Sequence, residues 1–244
     1  MLIREVVWVM AGGSTDGSGL GSTTPAYSGG AGSTSTSTSS INDIINNLKN
    51  PCFYNIAQNL TTSNMKNAIA DIINQFKISD QLNITFIEDS TISVPAKNVS
   101  GNTNDFTILI NPSKFNSNAS MEYKTITVLH EIIHAEIDLH SIGIQTNQQM
   151  DHLQILCGYI DKMSVAMTAL FPNMTLNEAE SLCFDGLNDL IVNNNNDPLW
   201  TDWSTIWNQA LGHYGLNQDP SSLNNIGIAI QKYELGQQGS TPCN

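Results

Sequence analysis

Residues 127–140 read TVLHEIIHAEIDLH, and they place three of the chain's five histidines in an apolar helical pattern. The stretch contains the motif HExxH, formed by His130, Glu131 and His134. On an α-helix, residues four positions apart are separated by about 40° around the axis and about 6 Å along it, so both imidazoles face one point. The motif therefore predicts that the two histidines share a metal ion, with Glu131 beside them as a base.

The residues around the motif favour a rigid, buried helix. Val128, Leu129, Ile132 and Ile133 supply apolar side chains on both sides of the histidines. Burying an imidazole without a partner costs free energy, so histidines on such a helix need a ligand or hydrogen bonds. The alternative interpretation is an ordinary helix whose histidines hydrogen-bond to neighbouring groups.

A catalytic zinc site needs a third protein ligand and leaves the fourth position for water. His152 is the favoured candidate, because it opens the predicted helix that follows a polar loop at residues 141–149. His140 is an alternative ligand, because HEIIHAEIDLH has the histidine spacing of the metzincin motif. If the helix instead continues to residues 141–143, His140 lies about 15 Å along its axis from His130 and cannot reach the same ion. The alternative ligands on a later predicted helix are Glu178 and Glu180.

Length and charge limit the classes of function. The chain has 244 residues, which suits one full-sized domain. Its formal net charge is −13, with 9 Lys and Arg against 22 Asp and Glu, and this excess of acid repels a phosphate backbone. We therefore expect no nucleic-acid partner. We also expect no transmembrane segment, because no apolar run reaches about 18 residues. We expect no signal peptide in residues 1–13, because the apolar patch there is shorter than a usual signal-peptide core.

The four cysteines show neither a CxxC pair nor regular spacing. This pattern predicts neither a zinc knuckle nor a disulfide framework. Cys157 and Cys183 fall in helical apolar patterns, which predicts buried thiols. Cys52 and Cys243 flank the predicted domain, and they could join its two ends if the protein is exported.

Three segments follow one another along the chain. Residues 1–10 include the stretch IREVVWV, which could be a lone strand and stays unassigned. In residues 11–40, 23 of 30 positions are Gly, Ser or Thr. That composition predicts a flexible linker with a reach of roughly 30 Å. Residues 41–244 contain the periodic patterns and form the predicted domain.

Within the predicted domain, the patterns indicate a helix-dominated α+β fold with a small sheet. Helical spacing covers residues 41–50 and 64–76, with Pro51 as a break between them. Strand-like alternation marks residues 83–89 and 105–111, separated by a loop rich in Gly, Asn and Pro. The later predicted elements are helices at residues 120–140, 151–171, a segment opened by Thr175 with Glu178 at capping-box spacing, 200–211 and 223–235.

The sequence resembles the zincin metallopeptidases, and more narrowly their SprT-like domains. The resemblance rests on HExxH on a helix, an upstream strand, and a third histidine that opens the following helix. Further similar stretches are NPC at residues 50–52, ILINPSKFNSNAS before VLHEIIHA, DHLQILCGYIDKM, and FDGLNDL before a Trp-rich helix. These resemble an exported Bacteroidota-type group of SprT-like domains behind Gly/Ser-rich linkers. The similarity covers roughly residues 50–211.

The resemblance implies a zincin-like fold and a zinc metallopeptidase activity. It implies that His130, His134 and His152 bind Zn²⁺ and that Glu131 is the base. It also implies a peptide or protein substrate, and a protein that is exported or associated with the cell surface.

The favoured hypothesis is therefore hydrolysis of peptide bonds by a metal-activated water, with Glu131 as general base. We expect the strand at residues 106–111 to hold substrate by strand addition at an open sheet edge. Tyr159, and the later pair His213 and Tyr214, are the candidates for stabilising the oxyanion.

Two other hypotheses stay open. The domain could hold zinc structurally and act as a non-catalytic binding or scaffold domain. Trp200, Trp203 and Trp207 could then form a partner surface, although a Trp stripe at this spacing is more often part of a core. The domain could also be a toxin-like effector peptidase delivered as the tail of a longer protein.

Overall fold

The computed structural model describes residues 44–62, 68–78, 82–100, 105–140, 148–187, 212–214 and 220–243. These residues fall in one unit, Ser40–Asn244. They form an α+β fold with one small sheet, in agreement with the sequence prediction. The N-terminal segment at residues 1–10, the predicted linker at 11–40 and the predicted Trp-bearing helix at 200–211 lie outside the described residues.

The sheet contains β1 (Ile44–Asn46), β2 (Asn83–Glu88), β3 (Ala96–Ser100) and β4 (Asp105–Ile110). Its strand order is β1-β2-β4-β3. β1 and β4 both run parallel to β2, whereas β3 runs antiparallel to β4. Among the described strands, β4 is therefore interior and β3 forms the edge beside it.

Alternation of side chains decides which face of this sheet is buried. Ile84 and Phe86 of β2 share one face with Phe106, Ile108 and Ile110 of β4, and each of the five is at most 2% exposed. Burying a side chain of this size contributes roughly 1.5–3 kcal/mol. The two strands predicted from period-two alternation are thus fixed by the core.

Two strands depart from the sequence prediction. Residues 41–50 have helical spacing, but residues 44–46 form β1 because they pair with β2. β3 lies in the predicted loop, since its sequence AKNVS has little of the β-branched and aromatic content of a strand. Pairing with a neighbouring strand, β2 for β1 and β4 for β3, forms both strands that the local pattern did not indicate.

The prediction that residues 106–111 provide an open edge for substrate is wrong. β4 is paired with β2 on one side and with β3 on the other, so its backbone groups already have partners. β3, which lines the cleft described below, is a strand whose other side pairs with no further described strand.

The helices of the described residues differ in length from 8 to 20 residues. None of these helices is both long enough and apolar enough to span a bilayer. They are α1 (Pro51–Thr62), α2 (Ala68–Ile78), α3 (Met121–His140), α4 (Gln148–Gly158), α5 (Ile160–Leu170), α6 (Leu176–Cys183) and α7 (Pro220–Glu234).

Pro51 begins α1, where the sequence predicted only a break between helices. A proline suits the first helical position because its missing N–H has no partner there in any case. The Asn50 side-chain Oδ1 accepts hydrogen bonds from the backbone N–H groups of Cys52, at 2.9 Å, and Phe53, at 3.3 Å. Asn50 and Pro51 together therefore act as a helix start signal.

α3 contacts both β3 and β4, and it also contacts α1, α4, α5, α6 and α7. Most of its residues between Glu122 and Ile137 are buried. Ser120 Oγ accepts a hydrogen bond from the backbone N–H of Tyr123 at 3.1 Å and so caps the helix start. The helix that contains HExxH is therefore held on several sides.

The predicted helix at residues 151–171 is two helices. α4 ends at Gly158 and α5 begins at Ile160, with Tyr159 between them at φ −126° and ψ −19°. Glycine has a low helix propensity, which the apolar spacing alone does not register. α6 begins as predicted, with Thr175 and Glu178 in a complete capping box.

A disulfide ties α1 to the C-terminal segment. Cys52 and Cys243 form this bond with their Cα atoms 5.2 Å apart, so the pairing that the sequence left open is present. Glu122 of α3 holds the same segment, because its carboxylate accepts hydrogen bonds from the Ser240 N–H at 2.8 Å and the Ser240 hydroxyl at 2.6 Å.

The other two cysteines are free thiols. Cys183 is buried, as the helical pattern predicted. Cys157 is exposed, so the prediction of a buried thiol there is wrong. An apolar pattern shows that a helix has a buried face, but a small cysteine near its border can fall on either side.

Candidate metal centre

Three histidines from two helices meet at one place. His130 and His134 lie on α3, and His152 lies on α4. Their ligand nitrogens all lie within 4.8 Å of one another. The Nε2 atoms of His130 and His134 are 3.0 Å apart. The structure thus brings together the three histidines that the sequence singled out as ligands.

The spacing and state of these side chains fit a metal ion. Nitrogens bound to one tetrahedral Zn²⁺ are about 3.3 Å apart. The ligand nitrogens of this cluster include a pair 3.0 Å apart and all lie within 4.8 Å of one another, a range that includes this distance. Burial lowers the pKa of His130 well below its ordinary value, and the charges of His134 and His152 lower it further. His130 therefore stays in the neutral form that binds metal. The three histidines can hold a metal ion.

Glu131 lies next to the histidines and is fixed by the sheet. Its Oε2 accepts a hydrogen bond from the backbone N–H of Asn98 in β3 at 2.6 Å. Burial raises the pKa of Glu131 to about 7, against the opposing effects of the Asn98 hydrogen bond and the charges of His152 and Lys97. A carboxyl group with such a pKa can both take up and return a proton near neutral pH.

The three histidines and Glu131 line a cleft of about 860 Å³. Residues of α3 form one wall, and β3 with the preceding residues 91–95 forms the wall opposite. The turn that follows α6 adds Asp185 and Gly186. The cleft is therefore an open space between the HExxH helix and the edge strand of the sheet.

Asn98 connects the two walls of the cleft a second time. Its side-chain Nδ2 donates a hydrogen bond to Asp138 Oδ2 at 2.7 Å, two helical turns from Glu131 on α3. Burial raises the pKa of Asp138, and the charge of Asp151 adds to this shift. The edge strand is thus joined to α3 by both the backbone and the side chain of one residue.

A tyrosine and an aspartate form a further polar pair in the cleft. The Tyr123 hydroxyl and the Asp185 carboxylate lie close enough for each to shift the pKa of the other. Burial raises the pKa of Asp185 to about 6, although hydrogen bonds from Tyr123 and the Gly186 backbone favour its charged form. Gly186 has a φ of +84° and lies against the ring of His130.

The alternative ligands have other partners. α3 continues to His140, whose Nε2 lies 3.0 Å from Glu136 Oε1, so His140 is directed away from the cluster. Glu178 accepts hydrogen bonds from Thr175 in the capping box and from Gln238. Glu180 interacts electrostatically with Asp161 and His213. The geometry supports none of the three as a ligand beside His130.

The candidates for oxyanion stabilisation lie outside the cleft lining. Tyr159 occupies the break between α4 and α5, with Lys162 Nζ 4.5 Å from the centre of its ring. His213 Nε2 lies 3.5 Å from Asp161 Oδ2, and Tyr214 packs on Phe184 with ring centroids 5.6 Å apart. These positions do not support the role predicted for Tyr159, His213 or Tyr214.

The cleft residues that sequence reasoning missed include Asn98, Tyr123, Asp185 and Gly186. Tyr123 had a usable signal, because it precedes His130 by seven residues and therefore lies on the same face of α3. Asn98 depends on the unpredicted strand β3. Asp185 and Gly186 lie in FDGLNDL, where the glycine marked a turn but not its position against a histidine.

Comparisons of the chain with protein-family models, with curated proteins and with solved structures found no match.

Proposed function

We propose that this protein is a zinc-dependent metallopeptidase whose active site is the cleft between α3 and β3. The observation that carries the proposal is the placement of Glu131. Its carboxylate lies beside the three clustered histidines, and the N–H of an edge strand holds it. A base next to a metal site, in a cleft bordered by the edge of a sheet, is an arrangement suited to hydrolysis of a peptide bond.

The donor set supports zinc as the metal. Three neutral imidazoles from the protein, with further coordination positions open to small molecules, are typical of catalytic Zn²⁺. The described residues offer no thiolate or carboxylate in this cluster, which contains His130, His134 and His152 alone. Bound zinc supplies Lewis-acid chemistry, which acidifies water and polarises a carbonyl group.

Glu131 performs the proton transfers in this proposal. Its carboxylate takes a proton from the attacking water, and the protonated form then gives that proton to the leaving amine. The hydrogen bond from Asn98 occupies one oxygen, Oε2, and fixes the orientation of the group. The other carboxylate oxygen is then the one that exchanges protons with water and the amine.

The edge strand supports a peptide as substrate. In β3, Asn98 directs its N–H towards α3 and the cleft, so backbone groups of the same orientation alternate along the strand. The Asn98 N–H is already bonded to Glu131, so an extended peptide would pair with the neighbouring outward-facing groups while its scissile bond lies at the histidines. The side chains of the two cleft walls would then determine which substrate residues are accepted next to the scissile bond.

The test is cleavage of a library of fluorescence-quenched peptides by the full-length chain loaded with zinc. Glu131→Gln should keep its zinc and lose at least about 100-fold in kcat/KM, because a general base contributes roughly 10²–10⁴-fold. Glu180→Gln, which changes a glutamate away from the cleft, is the matched control and should cleave like the unchanged protein.

Full activity in zinc-loaded Glu131→Gln would overturn the proposed mechanism. A protein that binds zinc tightly but cleaves no peptide in the library would instead favour the scaffold function. A hydroxamate separates the two functions directly, because it needs an open coordination position and would not bind a closed structural site.

A further inference from the structure

The cleft contains a second polar pair, Tyr123 and Asp185, to which the proposed mechanism gives no role. Both residues line the cleft with the histidines. Tyr123 is 8% exposed, so its hydroxyl is not a surface group. A buried tyrosine needs a partner for its O–H, and the Asp185 carboxylate supplies it.

Tyr123 is well placed to act on the metal site through α3. It lies seven residues before His130, which is two turns of the helix and about 20° around the axis. Both side chains therefore extend from the same face of α3. The ring of Tyr123 packs edge-to-face against Phe115, with the ring centroids 6.4 Å apart.

Asp185 fixes the turn that follows α6. Its carboxylate interacts with the Tyr123 hydroxyl and with the Gly186 N–H. Its own N–H donates to the Leu182 carbonyl oxygen at 3.0 Å, so both ends of the residue are held. The interaction with Tyr123 therefore links the position of this turn to α3.

Gly186 connects the position of this turn to His130, one of the proposed ligands. A Cβ added to Gly186 would lie 3.2 Å from Cε1 and 3.4 Å from Nε2 of His130. The glycine backbone therefore covers the imidazole at the edge whose Nε2 also faces His134, 3.0 Å away. A methyl group at this position would require the ring or the turn to move by a few tenths of an ångström.

We infer that Tyr123, Asp185 and Gly186 are positioning residues that fix the orientation of the His130 imidazole for metal binding. The inference rests on the proposed metal site, but not on peptidase activity. Groups that orient metal-binding histidines typically change metal affinity by 10–100-fold when they are altered. A structural role alone would join α6 to α3 without affecting the metal.

The experiment measures the zinc Kd of the full-length chain by competition with a chromogenic chelator. Tyr123→Phe removes the donor, and Gly186→Ala pushes a methyl group towards His130, so each should raise the Kd about 10-fold or more. Gly158→Ala is the matched control, because a Cβ there meets nothing within 4 Å. Its Kd should equal that of the unchanged protein.

Two further measurements separate positioning from stability. Asp185→Asn keeps an oxygen that accepts from Tyr123, so it should bind zinc more tightly than Asp185→Ala. With Co²⁺ in place of zinc, the visible absorption bands report the ligand geometry. These bands should shift in Tyr123→Phe and Gly186→Ala and stay unchanged in Gly158→Ala.

Equal zinc Kd values and equal Co²⁺ spectra for the unchanged protein, Tyr123→Phe and Gly186→Ala would overturn the inference while leaving the metal site intact. Absence of zinc binding in the unchanged protein would overturn the proposed function together with the inference. The two failures are therefore distinguishable in one set of measurements.

Discussion

At the scale of single residues, the chemistry of the cleft depends on how Glu131 is held. The Asn98 N–H stabilises its carboxylate, whereas burial favours the protonated form, and burial has the larger effect on the pKa. The result is a carboxyl group whose pKa is about 7. The same burial keeps His130 neutral, so one environment prepares both a ligand and a base.

The raised pKa of Glu131 predicts a dependence of stability on pH in the metal-free protein. A group whose folded-state pKa is raised contributes stability at low pH, and that contribution is lost as the pH rises through about 7. Glu131→Gln removes the titrating group. We therefore expect this substitution to improve the free energy of unfolding more at pH 8 than at pH 5, by at most about 3 kcal/mol.

Urea unfolding of both proteins at the two pH values, with a chelator present, measures this difference. Glu180→Gln serves as the control for a change of net charge. A stability difference between Glu131→Gln and the unchanged protein that is the same at pH 5 and pH 8 would contradict the pKa assigned to Glu131.

At the scale of elements, α3 was predictable and the strand opposite it was not. α3 can be predicted from its own residues, because HExxH, the apolar positions and the length of the pattern all fall within residues 120–140. β3 exists because β4 lies beside it, and its own sequence is polar. The metal ligands could thus be found from the sequence, whereas the wall that faces them could not.

The same contrast applies to the ends of the elements. Thr175 and Glu178 mark the start of α6 by a local hydrogen-bond pattern, and that prediction is confirmed. Residues 44–46 carry apolar spacing that suits a helix equally well, and only the neighbouring β2 decides for a strand. Local capping chemistry was therefore a better guide than periodicity in a short segment.

The edge strand gives a prediction at this scale. Asn98→Pro removes the N–H that holds Glu131, and a proline is tolerated at an edge position whose N–H does not pair with the sheet. Asn98→Ala keeps the N–H and removes only the bond to Asp138. We expect Asn98→Pro to reduce kcat/KM about 10-fold or more and Asn98→Ala to reduce it less.

Steady-state kinetics on the best library peptide, with zinc content measured for each variant, tests this expectation. Equal kcat/KM values for Asn98→Pro and Asn98→Ala would show that the backbone hydrogen bond to Glu131 has no part in catalysis.

At the scale of the whole molecule, one disulfide closes most of the described chain into a loop. Cys52 and Cys243 are 191 residues apart in the sequence. Their bond joins α1 to a segment that Glu122 of α3 also holds. The chain end is therefore part of the support of the HExxH helix.

Removing that bond should destabilise the fold. Closing a long loop restricts the unfolded chain, and native disulfides typically contribute about 2–4 kcal/mol. Cys243→Ser should therefore lower the Tm, and a reductant should lower the Tm of the unchanged protein to a similar value. Cys157→Ser, which alters an exposed free thiol, is the control. The measurement is differential scanning calorimetry with and without reductant. A Tm that changes neither in Cys243→Ser nor with reductant would contradict the disulfide.

The central claim is that His130, His134 and His152 form one metal site, and metal content tests it most directly. Elemental analysis of the full-length chain should find one zinc per chain, lost in His152→Ala and retained in His140→Ala. His140 is the matched control because it lies on the same helix and pairs with Glu136. An unchanged protein that binds no zinc, and whose Tm does not rise when zinc is added, would contradict the account. So would a His152→Ala variant that keeps its zinc with undiminished affinity.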